Sequence, residues 1–244
     1  MTPEDLIAAA CPKIRDMGWA FYFDPATMAF GQRLGLDGFQ FYFLGRGGVL
    51  GDVEPSVVAS AFGYFNPALV SQMWNAGREV ISPREAGRAY MACCAQFGRA
   101  KFGDVAGLEA FCAAAGAVND AADPVGLALY SGIRAEGLED DPPARAMQLV
   151  TVLREFRGSA HLLAVRASGL DAKTAHFLRR PNDIGMFGWG PEDTPLITDA
   201  ERAMLDAAEE LTDRLVLPAY AVLDDGGGES LLEGLQALEG TLAR

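Results

Sequence analysis

Arg154, Arg157 and His161 are the residues of this 244-residue chain best placed to do chemistry. They fall in the stretch Leu153-Arg154-Glu155-Phe156-Arg157-Gly158-Ser159-Ala160-His161. On a helix, at about 100° per residue, Arg157 projects about 40° from the stripe that Leu153 defines. His161 and Arg154 follow at about 80° and about 100° on one flank, and Glu155 points away. The three form a polar line beside an apolar face. A guanidinium next to a core needs acceptors, which an internal carboxylate or an anionic ligand can supply. The first reading is an ion pair holding two helices in register; the second is a ligand pocket. His161 is the candidate acid or base, because an unperturbed imidazole titrates near neutrality. Gly158 leaves room for another group to approach.

Aromatic residues gather early in the chain: Trp19, Phe21, Tyr22, Phe23, Phe39, Phe41, Tyr42, Phe43, Phe62, Tyr64 and Phe65. Most belong to a core, and a cavity lined by such rings suits an apolar or aromatic molecule. Arg154, Arg157, Arg46, Tyr22 and Tyr64 are the candidate ligand-binding residues. The pocket is expected between the aromatic N-terminal helices and the Arg154/Arg157/His161 face. Other chemistries lack their residues. Gly45-Arg46-Gly47-Gly48-Val49-Leu50-Gly51 looks superficially like a dinucleotide loop, but no strand–helix alternation follows it. With two histidines, His161 and His176, there is no pair on one helix face for zinc. The G-x-S-x-G elbow of serine hydrolases is missing. Neither a metal nor a cofactor is expected. Cys11, Cys93, Cys94 and Cys112 show no C-x-x-C spacing and read as reduced core thiols.

The elements that must position these side chains are helices. A polar cap followed by proline recurs at Thr2-Pro3, Asp24-Pro25, Asn66-Pro67, Ser82-Pro83, Asp123-Pro124 and Asp141-Pro142, with a weaker Glu54-Pro55. Ser82/Glu85 and Thr198/Glu201 have capping-box spacing. The longest helix is expected from Pro142 to about Ser168, with Gly169 as its stop. A second runs from Pro83 until Gly98 ends it, and a third from Thr198 to near Pro218. Others are expected near 4–22, 56–64, 67–76, 105–115 and 229–242. Phe39 to Leu44 fits a buried strand or a core helix equally well. Asp224-Asp225-Gly226-Gly227-Gly228 reads as a flexible turn. Residues 1–180 are expected to form a helical domain with the pocket, 181–197 a linker, and 198–244 C-terminal helices that pack back or dimerise.

A formal net charge of -13 disfavours nucleic acid as a partner. The small basic cluster of Lys173, Arg179 and Arg180 keeps that option open. No apolar run of about 18 residues is present, so no membrane partner is expected, and the start of the chain lacks a signal peptide. A cytoplasmic location follows.

Three stretches carry a family resemblance. The first is Gly38 to Val70, with Leu44-Gly45-Arg46, Leu50-Gly51 and Phe65-Asn66-Pro67-Ala68-Leu69-Val70. The second is Leu153-Arg154-Glu155 with Arg157-Gly158 and His161. The third is Thr198 to Leu223, with Thr212-Asp213-Arg214-Leu215 and Pro218. Through them the chain resembles an actinobacterial family of mainly helical helix-turn-helix proteins, distantly similar to winged-helix regulators of the MarR type. The resemblance implies a DNA-binding regulator that pairs as a homodimer through its long helices. Gly18 stands where the family often has a histidine. Pro181 to Ile197 is too short for the two helices and wing expected there. The expected fold is therefore all-α, a multi-helix bundle with a degenerate winged-helix-like C-terminal part. The expected function is small-molecule handling, by a ligand binder or a cofactor-free enzyme. A MarR-like regulator sensing a small molecule and a structural helical scaffold are the alternatives.

Overall fold

A computed structural model describes residues 1–243. The chain runs through α1 (Pro3–Met17), α2 (Pro25–Arg33), α3 (Gly38–Gly47), α4 (Pro55–Phe62), α5 (Pro67–Arg78) and α6 (Pro83–Phe102). It continues through α7 (Leu108–Ala121), α8 (Ala128–Arg134), α9 (Pro142–Ala167), α10 (Ala172–Arg179), α11 (Asp199–Tyr220) and α12 (Asp225–Leu242). The fold is all-α. No strand occurs among the described residues, so the expected winged-helix-like C-terminal part has no wing; two long helices stand there instead, α11 packed chiefly on α9 and α12 on α7 and α1. No helix among them is long and apolar enough to cross a membrane.

Five of the six polar–proline pairs start helices, and in each the cap side chain accepts a backbone N–H. The exception is Asp123-Pro124. There the Asp123 carboxylate accepts from Val125 N at 3.0 Å, and Gly126 at φ 79° turns the chain before α8 begins. Asp224 accepts from Gly227 N, which makes the expected glycine turn the first turn of α12. The Phe39–Leu44 ambiguity resolves as helix. Asp37 accepts from Gln40 N at 2.8 Å, while the Gln40 side chain accepts from Asp37 N at 3.0 Å. This capping box satisfies two otherwise orphaned donors and sets the helical start. Phe41, Tyr42, Phe43 and Leu44 are then all buried, so the helix has no polar face to show periodicity.

The centre of the molecule is α9. Its 26 residues span about 39 Å. It packs against α1, α6, α7, α8, α10 and α11. Gly98 does not stop α6 as expected. It lies inside that helix, where a Cβ would meet the Pro143 carbonyl oxygen at 2.3 Å. α1 is shorter than expected and ends at Met17, and a Cβ on Gly18 would meet Arg154 Cβ at 2.6 Å. The main core also takes in Val216, Ala219 and Tyr220 of α11 and Leu231, Leu235 and Leu238 of α12.

Candidate functional site

Glu155 is buried at 1% exposure and forms the centre of a charged cluster. Arg46, from the last turn of α3, donates to it twice: Nε to Oε1 at 2.9 Å and Nη2 to Oε2 at 2.8 Å. Arg154 Nη1 donates to Oε1 at 2.7 Å, and the Tyr22 hydroxyl donates to the same oxygen at 2.8 Å. Arg46 Nη1 also donates to the Tyr42 hydroxyl at 3.2 Å, and its guanidinium lies 4.3 Å from the Phe62 ring centre. The expectation that Glu155 points away from the core is thus overturned. Helices pack on α9 from several sides, so the face away from Leu153 is covered at Glu155 as well. Burial alone would raise the Glu155 carboxyl. The charges of Arg46 and Arg154, with hydrogen bonds from Arg46 and Tyr22, outweigh burial and hold it down to about 2. Two guanidinium groups face one carboxylate, leaving one positive charge in excess.

A second cluster takes in Arg157 and His161, the next polar residues along the Arg154 flank of α9. Arg157 Nη2 donates to Glu209 at 3.1 Å and to Asp213 at 2.9 Å, both on α11. Arg179, at the end of α10, pairs with the other Glu209 oxygen. His161 Nδ1 is 2.9 Å from the Thr212 hydroxyl, which itself donates to the Ala208 carbonyl at 2.6 Å. Since that hydroxyl proton is already engaged, His161 Nδ1–H donates to the Thr212 oxygen. His161 Nε2 then accepts from Arg179 Nη1 at 2.9 Å. Burial lowers His161 to about 4, with Arg179 and Arg157 opposing its protonation and Glu209 favouring it. The imidazole is neutral at pH 7 and both its nitrogens are engaged. The charges of this cluster balance: Arg157 and Arg179 against Glu209 and Asp213.

Between the two clusters lies a cavity of about 470 Å³, the size of a small-molecule site. Arg46, Tyr64, Arg154, Arg157 and His161 all line it; Tyr22 does not, and stands behind Glu155 and Arg154, both of which it meets through its hydroxyl. One wall is aromatic. Tyr42 stands 5.9 Å from Phe65, Phe65 stacks on Phe187 at 4.2 Å, and Phe187 packs on His176 at 3.9 Å between ring centres. Phe187 belongs to the 181–197 segment, which is anchored beside the turn after α4. Asn66 N donates to the Phe187 carbonyl at 2.8 Å, and Trp189 Nε1 donates to the Tyr64 carbonyl at 2.9 Å. Glu155, His176 and Phe187 are site residues that the helical-stripe reading missed. His176 had no signal beyond its residue type.

Buried polar atoms without protein partners collect around this cavity. They are the Tyr64 hydroxyl, Arg154 Nε, Arg157 Nε, Ser159 Oγ and His176 Nε2. Elsewhere among the described residues only the Tyr90 and Tyr220 hydroxyls share that condition. Buried polar groups are ordinarily paired, so these atoms are exceptions, and they lie sealed behind the cavity wall. Gly158 also lines it, and a Cβ there would meet nothing within 4 Å. Among the described residues, no group of three His, Cys, Asp or Glu side chains could hold a metal ion.

Fold and site together define an all-α multi-helix protein with a partly open, aromatic-walled cavity beside its central helix. A sequence profile described as a helix-turn-helix family matches residues 9–188, and the chain belongs to that family. The match covers both clusters on α9 and stops before α11. No curated protein and no solved structure matches the chain.

Proposed function

We propose that the protein binds a small organic anion with an apolar body in the cavity beside α9. The excess positive charge of the Arg46–Glu155–Arg154 cluster carries this reading. The other charged residues on the cavity wall find partners nearby: Arg15 with Asp16, Arg157 and Arg179 with Glu209, and Arg180 with Asp183. Arg154 is left half-paired beside the cavity, where a carboxylate would complete its hydrogen bonds in a low-dielectric setting. Tyr42, Phe62, Phe65 and Phe187 offer the apolar contact. Native mass spectrometry of protein purified from its source tests this. An organic acid released on denaturation and detected as an anion is the expected result. A bare polypeptide mass, with no shift in melting temperature across a panel of aryl and acyl carboxylates, would count against it.

A second reading, a DNA-binding regulator that uses the same pocket as a sensor, is favoured by the helix-turn-helix family membership. It needs a contiguous basic face. Lys173, Arg179 and Arg180 are the obvious source, and they lie near Asp193, Glu209 and Asp183 respectively. A salt titration of duplex binding separates the two readings, because phosphate neutralisation gives a steep salt slope and a pocket ligand does not.

A further inference from the structure

We propose that the bound anion is an aryl carboxylate, held with its ring against the exposed indole of Trp19. This rests on the small-anion reading above and names the apolar body of the ligand.

Trp19 lines the cavity and is 45% exposed. Among the described residues, no other exposed large apolar side chain lines it. The inner rings already pack on one another: Phe65 stacks on Phe187, and Phe62 on Phe43. Trp19 therefore offers the open aromatic surface of the site. It stands at the end of the cavity where the excess charge lies. Of the two guanidinium groups that face Glu155, Arg154 is the outer one, with 23% of its side chain exposed against 10% for Arg46.

The turn after α1 ties Trp19 to Arg154. Gly18 lies directly against that arginine: a Cβ there would fall 2.6 Å from Arg154 Cβ and 2.7 Å from its Cδ. The Gly18 carbonyl accepts from the Thr151 hydroxyl at 3.3 Å, one turn before Arg154 on α9. On the other side of Trp19, Tyr22 N donates to the Trp19 carbonyl at 2.9 Å, and the Tyr22 hydroxyl accepts from Arg154 Nη1 at 3.2 Å. Gly18 before Trp19 and Tyr22 after it thus both touch Arg154. A carboxylate on Arg154 brings the atoms bonded to it beside this turn. A planar ring in that position can pack on the indole and gain the attraction between aromatic quadrupoles, which an alkyl body of the same size does not offer. The ligand class is therefore an acid whose carboxylate is borne directly on an aromatic ring.

Calorimetric titration with 2-naphthoate and its saturated counterpart, trans-decalin-2-carboxylate, tests this directly. The two share a carbon skeleton and a charge, and the saturated acid has no less apolar surface, so burial alone does not favour the aryl acid. The wild-type protein is expected to prefer 2-naphthoate by about fivefold. Trp19→Leu should bring that ratio close to one. Arg154→Met should weaken both acids together and preserve the ratio. Thermal melting identifies any variant that does not fold, and Trp19→Gln carries the test if Trp19→Leu fails. Equal affinities of the wild-type protein for the two acids, or a preference for the saturated one, would overturn the aryl assignment while leaving the anion site standing. A preference that survives in the folded Trp19 variant would place the stacking on the inner rings and overturn the role of Trp19. If neither acid binds, the anion reading falls and the aryl assignment falls with it.

Discussion

Replacing Glu155 by alanine is expected to destabilise the protein by about 3–5 kcal/mol, the cost of stranding buried charge. The variant leaves Arg46 and Arg154 facing each other with no carboxylate between them, and the Tyr22 hydroxyl loses its acceptor. Urea denaturation followed by far-ultraviolet circular dichroism reads this as a fall in the midpoint. The same pair predicts the acid limb of the stability curve. The Glu155 carboxyl is held at about 2 in the folded state against 4.5 for an ordinary glutamate. A carboxylate depressed by folding contributes its full stability above the unfolded value. That contribution is lost as pH falls from about 5 through about 2. The alanine variant should therefore lose less stability over that window than the wild-type protein. A midpoint within error of wild type would mean the cluster contributes nothing net to the fold.

Gly48→Ala should destabilise by about 1–3 kcal/mol or more through overpacking. The added Cβ would fall 1.9 Å from the Pro83 carbonyl oxygen, where α6 begins, and 3.1 Å from Gly87 N. Both neighbours are backbone, so neither can swing aside. This contact explains Gly48 without a nucleotide, and with Gly45 against Tyr90 it lets the end of α3 press against α6. Gly158→Ala is the control in the same denaturation assay. Its Cβ meets open space within α9, so the higher helix propensity of alanine should stabilise by about 1 kcal/mol. Two glycine-to-alanine changes of opposite sign would locate the effect in packing rather than in the unfolded chain. A Gly48→Ala protein as stable as wild type would contradict it.

Helix starts were the most legible part of the sequence, because capping is chemistry between residues two or three apart. Thr2, Ser82, Asp141 and Thr198 each cap as their spacing says. Asp37 and Gln40 carried the same signal, and it settles the aromatic run that periodicity leaves ambiguous. Glu155 was misread for a physical reason. Counting 100° per residue shows where a side chain points, and the count assumes a single buried stripe. α9 packs against six helices, so at Glu155 pointing away from Leu153 still means pointing inward. The Arg46–Glu155 pair joins residues 109 apart, and nothing local announces it. His161 and Arg157 stood out by type, but only the tertiary fold shows Thr212, Arg179 and Glu209 closing around them.

Titration of the protein with 2-naphthoate against 2-naphthalenemethanol, two molecules alike but for their charge, tests the anion site most directly. The acid is expected to bind at least about tenfold more tightly than the alcohol, and Arg154→Met should remove that discrimination. Equal affinities in the wild-type protein, or a preference for the alcohol, would contradict a cavity built to receive an anion.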